Sequence, residues 1–393
     1  MPIDVERARK ETPGCRNVLH FNNAGASLMP QPVIDALQEH LELEAEKGGY
    51  EAFEAARSRY DSTYVSLARL LNCDSSEIAL VENATRAWDM AFYGMPFRAG
   101  DRILTAMATY ASNYLAMLQV SRRTGAVVEV IPDDEFGQVS VERLRERMDD
   151  DVRLIALTHV PTNGGLVNPA AEVGRVARAA GVPFLLDACQ SVGQLPLDVA
   201  AIGCDFLSGT GRKFLRGPRG TGFLYVRKGA LDLLEPPFID LHAATWTGPG
   251  SYELQPGAKR FENWEGFVAG KIALGVAVEY ALGWGVDQIW ERVQRLGALL
   301  RETLDEIPGV TVHDAGRVKG GIVTFSHERV DAEAIKAWLS ALDINVTTSS
   351  REYALLDTDA RNLPRIVRAS VHYYNTQEEI GRFGFAVRSM VGG

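Results

Sequence analysis

"SGTGRKFLRGPRGTGFLYV", residues 208–226, sets a single lysine, Lys213, among three arginines and five glycines, and it ends in an apolar run of strand length. An apolar run without polar alternation suits a strand covered on both faces. Upstream, "DRILTA", "AVVEVIP", "VRLIALTHV", "VPFLLDA" and "CDFLSG" have the same character, and helix-period stretches such as "SVERLRERMDD" and "PAAEVGRVARAAG" lie between them. This alternation predicts an α/β unit with a mostly parallel sheet, and a ligand site at the carboxyl ends of its strands.

After residue 260 the pattern changes. A long helical region leads into "GVTVHDAG", "GGIVTFS", "DAEAIKAWLSALDINVTT" and "IVRASVHYY", which reads as a smaller α+β unit. The expected division is a large domain over 21–260 and a small one over 261–393 together with 1–20.

The 393 residues are 46% hydrophobic, enough for two buried cores. A net charge of −10 argues against a nucleic-acid partner. No run approaches the roughly 18 apolar residues of a membrane span, and the charged N-terminus lacks the apolar stretch of a signal peptide. Cys15, Cys73, Cys189 and Cys204 have no metal-ligand spacing and suggest no disulfide framework, so no metal is expected and a cytoplasmic setting fits.

A lysine in a glycine-rich loop can be a solvated cation or part of a phosphate loop. Here Arg212, Arg216 and Arg219 disfavour a further ammonium and are expected to push the Lys213 pKa down, toward a usable amine nucleophile. In "FLLDACQS" an apolar strand ends on Asp187, 26 residues before Lys213. Alone, such an aspartate reads as a helix cap. Paired with the lysine it suggests pyridoxal phosphate chemistry, which needs an imine-forming amine and a carboxylate that keeps the pyridine nitrogen protonated.

From "HFNNAGASLMP" to "VRASVHYYNTQEEIGRF" the chain resembles the class V aminotransferase family. These are fold type I pyridoxal phosphate enzymes and include cysteine desulfurases and isopenicillin N epimerase-like proteins. The resemblance implies the fold type I PLP-dependent transferase architecture, with pyridoxal 5'-phosphate bound at Lys213 and Asp187 paired with its ring nitrogen. It implies that Gln190 bonds the ring hydroxyl, with Thr162, and also Asn163, as further polar contacts there. Ala84 and Thr85, opening the helix in "ENATRAWDM", would receive the phosphate. Thr210 and Arg212 would add a hydroxyl and a charge to it. Tyr110 would stack on the ring, and Arg368, in "VRASVHYYN", would grip the substrate carboxylate.

The resemblance also implies an amino-acid substrate and a homodimer with its site near the interface. Tyr50, Trp246 and Trp264 are candidates for the substrate side-chain pocket. Cysteine desulfurases of this class carry a persulfide-forming cysteine on the loop before the carboxylate arginine, whereas "INVTTSSREYALLDTDARNLPRIV" (344–367) has none. On that ground persulfide transfer is not expected. A narrower likeness, through Gly48-Gly49-Tyr50 and the lysine loop, is to C–S lyases of the ergothioneine and lincosamide pathways. It implies β-elimination from a cysteine S-conjugate. Aminotransfer and epimerisation are alternatives within the family, and a non-catalytic binding module is one outside it.

Overall fold

The computed structural model describes residues 2–391. Seven strands form the principal sheet: β1 (Ile78–Val81), β2 (Arg102–Ala106), β3 (Val127–Ile131), β4 (Val152–Thr158), β5 (Phe184–Asp187), β6 (Phe206–Thr210) and β7 (Gly222–Val226). Their order across the sheet is β1-β7-β6-β5-β4-β2-β3. Every residue of β1, β5, β6 and β7 is buried, which is why their sequences run apolar without alternation. β7 alone runs against its neighbours β1 and β6. The 11 residues between β6 and β7 contain no helix and are too few for a parallel crossover, so the chain turns back on itself.

Helices α1 (Gln31–Lys47) and α2 (Gly49–Leu71) meet at Gly48, whose φ of 91° breaks what would otherwise be one helix. Helices α3 (Ala84–Gly94), α4 (Ala111–Thr124) and α5 (Ala170–Ala180) follow strands of the principal sheet. Helix α6 (Val268–Trp284) packs against α1 and α2. The approach to α2 is close: a side chain at Gly275 would begin 2.5 Å from the Thr63 hydroxyl.

A second sheet, all antiparallel, has the order β8-β9-β11-β10, from β8 (Val310–Val312), β9 (Ile322–His327), β10 (Thr347–Ser349) and β11 (Ile366–Ser370). It builds its own core with α7 (Val286–Asp305), α8 (Ala332–Ser340) and α9 (Gln377–Val391), including Leu296, Phe325, Ile335 and Phe383. We propose that the two sheets mark the two domains, 21–260 and 261–393 with 1–20, and that α6 ties the second to the first. Among the described residues, no helix is long and apolar enough to cross a membrane.

Candidate active site

Thr158, Asp187 and Thr210 are the last residues of three neighbouring strands, β4, β5 and β6. The chain leaves the sheet at these points, and the loops that follow surround a cavity of about 440 Å³. The α/β alternation requires this position, because ligands collect where strand ends and helix N-termini meet. Lys213, Asp187, Gln190, Tyr110 and Thr162 all line the cavity, as do Ala84, Thr85, Thr210 and Arg212.

Lys213 lies on the loop after β6. Burial pulls its ammonium below the ordinary lysine range, and the charges of Arg212 and Arg368 pull it further, against Cys189 and Asp187. The arginines expected to do this therefore need correcting. Arg216 turns away from the cavity and braces the loop: its Nε donates to the Leu28 carbonyl at 2.9 Å, and its Nη groups donate to the hydroxyls of Tyr373 at 2.6 Å and Thr12 at 2.5 Å. Arg219 is exposed at the cavity rim. Arg368 replaces them, from the second sheet.

Asp187 is buried at the end of β5, and burial raises its carboxyl. Three groups oppose that shift: the Cys189 N–H, 2.9 Å from Oδ1, the Asn113 amide, 2.7 Å from Oδ2, and the Lys213 charge. Asn113, on the first turn of α4, is not legible in the sequence because it lies 74 residues from its partner and belongs to no motif. The Gln190 amide donates to the Ala24 carbonyl at 3.2 Å, while its Oε1 is buried without a partner. Tyr110 caps α4, so the same helix end presents both Tyr110 and Asn113 to the site.

At α3 the Asn83 side chain accepts from the Arg86 N–H at 2.9 Å. The N–H groups of Ala84 and Thr85 remain at an open helix N-terminus, which favours an anion. Gly222 permits this placement, since a side chain there would begin 2.6 Å from the Asn83 backbone. The Arg212 guanidinium donates to the Gly25 carbonyl, and the Ser27 N–H donates to the Arg212 carbonyl at 2.9 Å. Arg212 is thereby tied to the 20–30 segment while lining the cavity.

Arg368, on β11, is 9% exposed and donates to Thr162 Oγ1 at 2.6 Å, leaving its Nε buried and unpaired. Burial, reinforced by Arg212, pulls its pKa down to about 10. A cation held in this way is short of an anionic partner. Asn163 accepts a hydrogen bond from Ser349 at 2.6 Å, so the 162–163 loop contacts both β11 and β10 of the second sheet. Tyr50 is not brought to this cavity. It is 70% exposed and lines a separate groove of about 610 Å³ with Phe53, Trp264 and Phe267.

The profile of aminotransferase class-V proteins matches residues 19–383. The chain belongs to the class-V aminotransferase family. A protein of Methanothermobacter thermautotrophicus named as a probable cysteine desulfurase is 29% identical over 99% of this chain and 98% of its own length. The solved apo structure of a cysteine desulfurase from Thermococcus onnurineus superposes with a TM-score of 0.93 at 27% identity, covering 100% of this chain and 99% of that one. A variant of C-DES, with glycine covalently linked to its PLP cofactor, shares the fold at a TM-score of 0.87 and 24% identity, covering 97% and 98% of the two chains.

The chain has the fold type I architecture of this family, and its cofactor is pyridoxal 5'-phosphate. The cavity fits the group: an open helix end and Arg212 for a phosphate, a buried carboxylate for a ring nitrogen, an orphaned Gln190 Oε1, and a lysine held below its usual range. The expectation of a lyase for cysteine S-conjugates, with its exclusion of a desulfurase, is overturned. The curated relatives that match nearly from end to end, and the structure from Thermococcus onnurineus, are named as cysteine desulfurases or probable ones. The exclusion rested on one missing residue type in a loop, and the lyase on the likeness of two short segments. Neither outweighs a match along the whole chain.

Proposed function

We propose that this member of the class-V aminotransferase family is a cysteine desulfurase, removing sulfur from L-cysteine and passing it to a thiol acceptor. The balanced reaction converts L-cysteine and a thiol into L-alanine and a persulfide. The observation that carries this reading is the end-to-end match, over 99% of the chain, to a protein named for that activity.

The residues have distinct tasks in this account. Arg368 binds the substrate carboxylate through its free guanidinium edge, with Thr162 fixing the plane of the group. Lys213, its ammonium held below the ordinary lysine range by burial, moves the proton at the substrate α-carbon. The α3 N-terminus, Thr210 and Arg212 would hold the phosphate, Tyr110 would cover the ring, and Gln190 and Asp187 would address its hydroxyl and nitrogen. When bound, pyridoxal phosphate supplies the electron sink on which carbon–sulfur cleavage depends.

The proposal includes a homodimer. Tyr50, Trp246 and Trp264, which are 70%, 73% and 59% exposed, are apolar surface that a second copy would cover. Four free cysteines support a reducing, cytoplasmic setting.

Product analysis tests the reading. L-cysteine with an added thiol is expected to give alanine and persulfide sulfur in equal amounts. Pyruvate and ammonia in place of alanine would overturn it.

A further inference from the structure

Asp187 is held on both carboxylate oxygens, by two unlike donors. The Cys189 N–H on Oδ1 is local, made as the chain leaves β5. The Asn113 amide on Oδ2 comes from α4 and is buried, with 3% exposure. An ionised carboxylate only accepts, so the amide must face it with its NH2 group. Among the described residues no other donor reaches Oδ2, and its loss would leave that oxygen buried and unsatisfied. Helix α4 also presents Tyr110, three residues earlier, to the same cavity. One helix turn therefore sets both the residue over the ring and the residue that braces the carboxylate.

We propose that Asn113 is a positioning residue: by donating to Oδ2 it fixes the charge and orientation of the Asp187 carboxylate, and through it the proton on the cofactor's ring nitrogen. The inference rests on the proposed pairing of Asp187 with that nitrogen and is independent of the choice of substrate. Burial already works against an ionised Asp187, and Asn113 is one of three groups that resist it. Without Asn113 the proton shifts from the ring toward the carboxylate, and the ring loses positive charge. The nearby nitrogen joined to Lys213 then becomes easier to protonate.

The test uses the holoenzyme without substrate and follows cofactor absorbance against pH. Asn113→Leu keeps the branching of the side chain, with bulkier ends, and removes the donor. Its titration midpoint is expected to move up by about half a unit or more, in the same direction as Asp187→Asn and by less. Turnover should fall about tenfold in kcat with little change in KM. In the Asp187→Asn background Asn113→Leu should add little, because the charge it serves is gone. Asn113→Ala removes the donor without the added bulk and should shift the midpoint in the same direction. Ser112→Ala, on the same turn, should leave the titration unchanged.

An unmoved midpoint in both Asn113 variants, with Asp187→Asn shifted, would overturn the inference, as would fully additive effects in the double variant. An unmoved midpoint in Asp187→Asn itself would remove the pairing beneath it, and that outcome is distinguishable because the Asp187 variant alone reports it.

Discussion

Thr158, Asp187 and Thr210 close the floor of the cavity from the ends of three adjacent strands, whereas Arg368 and Ser349, on a second sheet, meet the loop after β4 through Thr162 and Asn163. Between Ser349 and Arg368 lies a stretch, 350–365, of short helical turns. The floor follows a rule of the fold: ligands bind outside the carboxyl ends of the strands of a parallel sheet. The wall follows no such rule. Arg368 is held by its hydrogen bond to Thr162, and Ser349 by its bond to Asn163, contacts that exist only once both sheets are in place. Cofactor chemistry can therefore be recognised from short motifs, while the substrate depends on a surface assembled from distant parts.

If floor and wall divide the work in this way, Arg368→Lys should give the largest separation between them. It is expected to lower kcat/KM by roughly a hundredfold, because a point charge cannot reproduce a planar two-bond grip, while the cofactor absorbance stays as it was. A changed cofactor spectrum would break the division. Gly222→Ala acts on the floor, forcing a methyl group against the Asn83 backbone at the start of α3. Cofactor affinity should fall about tenfold, with KM for the amino acid unchanged once cofactor is saturating; equilibrium dialysis and steady-state kinetics measure the two separately.

Asn163→Ala removes the contact to Ser349 between the sheets. A loss of a few-fold in kcat/KM is expected, with cofactor binding intact. Asp133, which follows β3, supplies the smallest effect. Burial, with Asp357 and Asp134 adding to it, pushes its carboxyl up to about 7 against Arg361. The folded protein thus keeps this proton to a higher pH than the unfolded chain, whose carboxyl titrates near ~3.9. The associated stability is present below that value and is lost as pH rises through about 7. Asp133→Asn should stabilise the protein by about 1 kcal/mol at mildly alkaline pH and by nothing in acid, as read by urea unfolding.

Most of the floor could be read in the sequence. Arg212 and Lys213 follow closely on Thr210 at the end of β6, and Asp187 ends an apolar run, so position and chemistry are visible together. Three features were not. The hydrogen bond from Asn113 to Asp187 spans 74 residues and carries no local pattern. The outward turn of Arg216 depends on partners from the N-terminal segment and from Tyr373, which no spacing within the loop announces. The substrate is hard to read for the same reason as the wall: 344–367 has no motif of its own, and the lack of a cysteine there does not outweigh a match along the whole chain. The direction of β7, by contrast, was available, since the segment after β6 is too short for a crossover.

The central claim is that these strand ends assemble a pyridoxal phosphate site around Lys213. Borohydride reduction of the purified holoenzyme, followed by peptide mapping, tests it most directly. The account predicts the reduced cofactor on the peptide carrying Lys213 and on no other, and no label on the Lys213→Ala protein. Label on a different lysine in the native enzyme would contradict it.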